Sequence, residues 1–153
     1  MTLLELTDFW KDISLKHKDI KDFIVGSNYD AATGSDNYPQ VFWELPYSIT
    51  YPSLDKPKYQ VQVSLSVYLA TKVDSIIDDN YAISLAKEIG DAIIMYGKAK
   101  AGLLFMVDAV NAISVREYSD DNCAGMRYDI TITTPMIASI AGGCDTVSDS
   151  FNE

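Results

Sequence analysis

The chain has 153 residues, 48% of them hydrophobic, and carries 22 acids against 12 bases for a net charge of −10. A single domain of that size buries about two-thirds of the surface its unfolded chain would expose, and the apolar and aromatic content excludes disorder for the bulk of it. With only two arginines, Arg116 and Arg127, the balance argues against a protein that grips nucleic acid by neutralising phosphates.

The first element in chain order is an amphipathic helix over residues 2–18. Thr2 and Glu5 have capping-box spacing, and Leu3, Leu6, Trp10, Ile13 and His17 recur at three- and four-residue steps. Phe23-Ile24-Val25 reads as a short strand stopped by Gly26. Residues 27–37 are turn-formers and read as an exposed loop. Tyr38–Leu45 returns to strand composition, and Pro46, Pro52 and Pro57 then break a stretch expected to be irregular. From Tyr59 to Ala70 apolar residues alternate strictly with mostly polar ones, which predicts a long strand with one buried face. At about 3.3 Å per residue it overshoots a small sheet, so something must share its far end.

A second helix is expected from Asn80 to Tyr96, capped by Asp78 or Asp79 and stopped by Gly97. The run Leu103–Val107 fits helix or strand equally well. Ala109–Tyr118 and Met126–Thr134 read as strands joined by a polar hairpin loop over residues 119–125. Residues 136–153 form an acidic, Gly- and Ser-containing tail or arm beyond a single domain of residues 1–135. The expected fold class is α+β: an antiparallel-dominated sheet of four to five strands with two helices packed on one face.

No apolar run is long enough to span a membrane, and Met1–Glu5 lacks the start of a signal peptide. Cys123 and Cys144 form no CxxC, so a reduced compartment is expected and a metal is not. His17 is the only histidine, and a Ser-His-Asp or Cys-His arrangement would depend wholly on it. It reads instead as a packed helix-end residue. Asp120-Asp121-Asn122 lacks the remaining ligands of a calcium loop and reads as a solvated turn. No catalytic residue, metal ligand or cofactor is therefore expected. Seven of the 17 aromatics fall within residues 38–68 with few bases among them, which suits a protein contact better than base stacking.

The element order, and above all the segment Val115-Arg116-Glu117-Tyr118-Ser119-Asp120-Asp121-Asn122-Cys123-Ala124-Gly125-Met126-Arg127-Tyr128-Asp129-Ile130-Thr131-Ile132, resembles the tail-terminator (tail-completion) and connector-ring proteins of tailed bacteriophages. Residues 37–72 resemble the corresponding segment in crAss-like phages, and the likeness spans residues 3–134 in element order. It implies a tail-terminator-like fold and a non-enzymatic virion subunit assembled in the host cytoplasm. Such a subunit forms a closed ring of 6 or 12 copies between portal, connector or tail proteins. DNA passes through without being specifically bound. The residues expected to meet a partner are Tyr47, Tyr51, Tyr68, Asp120, Asp121, Asn122 and Phe151. The alternative is an acidic protein-binding adaptor or inhibitor without catalytic activity, and a small hydrolase stands third.

The charge is uneven as well: residues 119–153 hold six acids and one base, half of the net −10. Acids lining a ring's opening would repel phosphate and let DNA pass.

Overall fold

The structure, a computed structural model, describes residues 1–26, 38–53, 55–56, 58–71, 76–117 and 123–135. Helix α1 (Leu3–Leu15) is followed by strands β1 (Asp22–Gly26), β2 (Gln40–Thr50) and β3 (Lys58–Ala70). Helix α2 (Ile76–Ala101) and strands β4 (Met106–Glu117) and β5 (Cys123–Pro135) complete the order. The fold is α+β. Its five strands form one sheet in the order β1-β2-β3-β5-β4. Three pairings are antiparallel, but β1 runs parallel to β2, so the sheet is mixed.

The capping box forms as its spacing implies. Thr2 Oγ1 accepts from the Glu5 N–H at 3.0 Å, and the Thr2 N–H donates to Glu5 at 2.6 Å. That N–H, together with the Thr2 hydroxyl, holds the Glu5 carboxyl below its ordinary value.

Alternation along β3 places Tyr59, Val61, Val63, Leu65, Val67 and Leu69 on one face, where they join Trp43, Tyr128, Ile130 and Ile132. Leu6, Trp10 and Ile13 of α1, and Ala82, Ala86, Ile89 and Ile93 of α2, close the same core, so both helices cover one sheet face. The far end of β3 is shared by β5: the two strands pair continuously from Lys58↔Pro135 to Ala70↔Cys123. Tyr128 fixes α2 over the sheet, its hydroxyl donating to Asp91 at 2.8 Å and lying 3.0 Å from the Lys87 carbonyl. Burial, and the Asp91 carboxylate beside it, push that hydroxyl well above the ordinary tyrosine value.

Four expectations are corrected here. Helix α2 starts at Ile76 rather than Asn80, which puts Asp78 and Asp79 inside its first turn instead of at its cap. The stretch after Leu45 is not irregular at its start, because β2 continues through Pro46 to Thr50. Its register to β3 shifts between Glu44 and Ser48, and a proline is tolerated where the ladder skips a bond. Gly97 does not stop α2, which runs five residues past Tyr96. A β-carbon at Gly97 would strike the Trp10 indole, and one at Gly90 would strike the Tyr128 ring. These glycines give the two large rings room to lie against the helix. The helix ends instead at Gly102, whose φ of +55° provides the left-handed turn that L side chains adopt rarely. The hairpin loop is also shorter than expected, since Cys123, Ala124 and Gly125 already belong to β5.

Candidate functional site

The sequence-predicted interface residues scatter. Tyr47 is half-buried on β2, where its hydroxyl accepts from the Trp43 indole N–H and meets Thr7 Oγ1, both at 2.7 Å. Thr7 in turn donates to the Leu3 carbonyl at 2.9 Å, so Tyr47 stitches α1 to the sheet. It faces the subunit's own interior because its segment is strand, not loop. Tyr68 is buried on the sheet face away from the helices, in a small cluster with Phe42 and Cys123. Of the three tyrosines, Tyr51 alone is exposed, its ring centre 6.2 Å from that of Tyr59. Asp120, Asp121, Asn122 and Phe151 lie outside the described residues, as does the expected tail.

The two tyrosines therefore separate in a test. Tyr47→Phe is expected to lower subunit stability by about 1–3 kcal/mol, because it strips a buried indole N–H of its acceptor. Tyr51→Ser should stay within about 1 kcal/mol. Urea unfolding of both variants checks this, and equal losses would contradict it.

His17 is half-buried just past α1, where its Nδ1 accepts from the Asp19 N–H at 3.2 Å. Among the described residues no three His, Cys, Asp or Glu side chains are grouped to hold a metal ion. Nor, among the described residues, is any helix long and apolar enough to cross a membrane.

What the fold does expose is an edge. β4 is the outermost strand, 12 residues long, and residues 108–114 are exposed on both sheet faces. Its free side carries backbone N–H and C=O groups, a template for another strand. Edge strands are usually blunted by lysine, proline or shortness. β1, at the opposite edge, has five residues. β4 contains neither lysine nor proline, and it leaves Met106, Val110 and Ile113 exposed. The one irregularity is a bulge at Asp108, between Val107 and Ala109. The Asp108 carboxylate turns back over the sheet to accept from Thr133 Oγ1 and, at 3.3 Å, Gln60.

Just before β4, the α2–β4 turn makes an apolar tip. The Leu104 N–H closes on the Ala101 carbonyl at 2.9 Å, which leaves Leu103 fully exposed and Leu104 about half exposed beside Met106. Exposed Lys98 and Lys100 flank it. At the other end of α2, Leu69, Ala70, Thr71, Asp78, Tyr81 and Ala82 line an open groove of about 370 Å³.

The sheet face away from the helices carries, besides the Phe42, Tyr68 and Cys123 cluster, a polar network across β2, β3 and β5. Arg127 there reaches Glu44 at 3.3 Å, Asp129 at 2.9 Å and Ser64 at 3.1 Å, while Ser64 donates to Asp129 at 2.6 Å. Partial burial works against the guanidinium charge, but the hydrogen bond to Asp129 and the Glu44 carboxylate outweigh it and raise its pKa.

The edge, with its missing gatekeepers, was visible in the sequence as a lysine- and proline-free strand. That it would be outermost was not, because strand order is set by pairing far along the chain. No protein-family model matches the chain, and no curated protein matches it.

Proposed function

We propose that this chain is a structural subunit that assembles with copies of itself into a closed ring, in the head-to-tail connector or at the tail terminus of a tailed bacteriophage. The observation that carries the assembly reading is β4: a 12-residue edge strand without lysine or proline, bulged at Asp108, that exposes Met106, Val110 and Ile113. The phage setting, the 6 or 12 copies and the portal, connector or tail neighbours rest on the resemblance in residues 3–134. The subunit's place is then the virion, after assembly in the host cytoplasm.

The polar sheet face supports a conduit. Apart from Lys58 at its end, its cation among the described residues is Arg127, already engaged by Glu44 and Asp129. DNA passing such a face meets hydroxyls, amides and acids rather than a phosphate grip.

The alternative, an acidic adaptor, would use the same edge to take a strand from a different protein. Light scattering separates the two readings. The wild-type chain is expected to form a discrete homo-oligomer. A double Ala109→Lys, Ile113→Lys variant should be monomeric, with subunit stability changed by no more than about 1 kcal/mol, because both side chains are exposed. A strictly monomeric wild type, or an oligomer indifferent to these lysines, would overturn the ring reading.

A further inference from the structure

We infer that copies of this chain join head to tail, the Leu103–Leu104 tip of one copy seating in the groove formed by Leu69, Ala70, Thr71, Tyr81 and Ala82 of the next. The inference deepens the ring reading and rests on it.

Three observations carry it. First, the tip and the groove lie at opposite ends of α2, whose 26 residues span about 39 Å, so they cannot meet within one chain. A contact between them joins two copies through different patches, which is the heterologous geometry that closes rings when the rotation permits. An isologous contact would pair tip with tip and stop at two copies.

Second, the shapes and polarity match. Leu103 projects fully from a turn held by Gly102 and the Leu104–Ala101 hydrogen bond, and Leu104 and Met106 widen the apolar surface behind it. The groove is walled by the ring of Tyr81, itself mostly exposed, and floored by buried Ala82 and Leu69. Contiguous exposed apolar side chains of this kind mark contact surfaces.

Third, the charges at the two ends are opposite. Lys98 and Lys100 stand beside the tip in the last turn of α2, and Asp78 stands at the groove in its first turn. Head-to-tail contact brings these signs together and also aligns the two helix dipoles favourably. The similar-sized groove between the helices is lined by Ile13, Lys16, His17, Ala92, Ile93 and Tyr96. Its lining offers no acid to meet Lys98 and Lys100, and its Lys16 is already paired with Asp12 at 2.6 Å, so it is the poorer receptor. The tip also runs directly into β4 through Met106, so one continuous surface faces the neighbour.

Cysteine cross-linking in a Cys144→Ser background tests this, because Cys123 is buried. Under mild oxidation, a Leu103→Cys, Tyr81→Cys double variant should give a covalent ladder on a non-reducing gel. A mixture of the two single variants should give a mixed dimer and nothing larger, and each single variant alone should give none. Leu103→Glu should weaken assembly at least about tenfold with an unchanged melting temperature of the isolated subunit.

If oligomers form but no mixed cross-link appears, or if Leu103→Cys links to itself as readily as to Tyr81→Cys, the head-to-tail contact is wrong while the ring reading stands. The same holds if Leu103→Glu assembles like the wild type. A wild type that remains monomeric at every concentration overturns both.

Discussion

Replacing Gly125 by alanine is expected to destabilise the subunit by about 3 kcal/mol or more, a drop in Tm on the order of 10 °C for a chain of this size. Gly125 is buried in β5, opposite Tyr68 of β3 and Val115 of β4. A β-carbon there would overlap the Val67 carbonyl oxygen and press on the Tyr68 α-carbon. Those atoms are backbone, so no rotamer change relieves the clash. β3 and β5 must part locally, two residue pairs from the hairpin end of the most extensive strand pairing in the sheet. Calorimetry on Gly125→Ala checks the prediction, and a Tm within a few degrees of wild type would show that the strands can separate cheaply there. Gly125 also lies within the segment Val115–Ile132 on which the phage resemblance rests most heavily, so the fold alone supplies a reason for it.

The second large effect is expected at Arg116. On β4 its guanidinium meets Asp79 of α2 at 2.5 Å, with both side chains mostly buried. Arg116→Leu strands a buried carboxylate without its cation and should cost about 3–5 kcal/mol. Replacing both partners, Arg116→Leu with Asp79→Leu, should restore most of the loss, since apolar groups of similar volume remove the desolvation penalty with the attraction. Guanidinium unfolding of the two single variants and the double completes the cycle. Additive losses would mean that the pair contributes no coupling. The pair also ties the far end of the edge strand to the start of α2.

How much of this was legible depended on whether the cause was local. Thr2 and Glu5 announced the first helix because a capping box is a local arrangement, and both of its bonds are present. The alternation from Tyr59 to Ala70 announced β3 and its buried face for the same reason. Pro46 misled because a proline's missing N–H disrupts a strand only where a partner waits for it, and the Glu44/Ser48 register shift removes that partner. Gly97 misled because glycine both ends helices and makes room for neighbours. Only the position of Trp10, far away in sequence, decides which. The parallel direction of β1 left no local trace.

The interface follows the same division. The prolines around Tyr47 suggest an open loop, whereas in the fold Trp43 and Thr7 claim its hydroxyl internally. Leu103 and Leu104, an apolar pair directly after a helix-ending glycine, are the sequence sign of the exposed tip.

The position of β5 has a consequence for the order of events in synthesis. It is the last strand of the described chain, yet it lies between β3 and β4 in the sheet. Until residues 123–135 emerge from the ribosome, both sides of the gap are open edges, and helix α2 has no Tyr128 or Ile130 to rest on. Pairing Lys58 with Pro135 also closes a long loop, which makes the step slow. Nascent copies on neighbouring ribosomes thus present two extra strand templates that finished copies do not. The exposed edges are reduced to β1 and β4 only once β5 is in place.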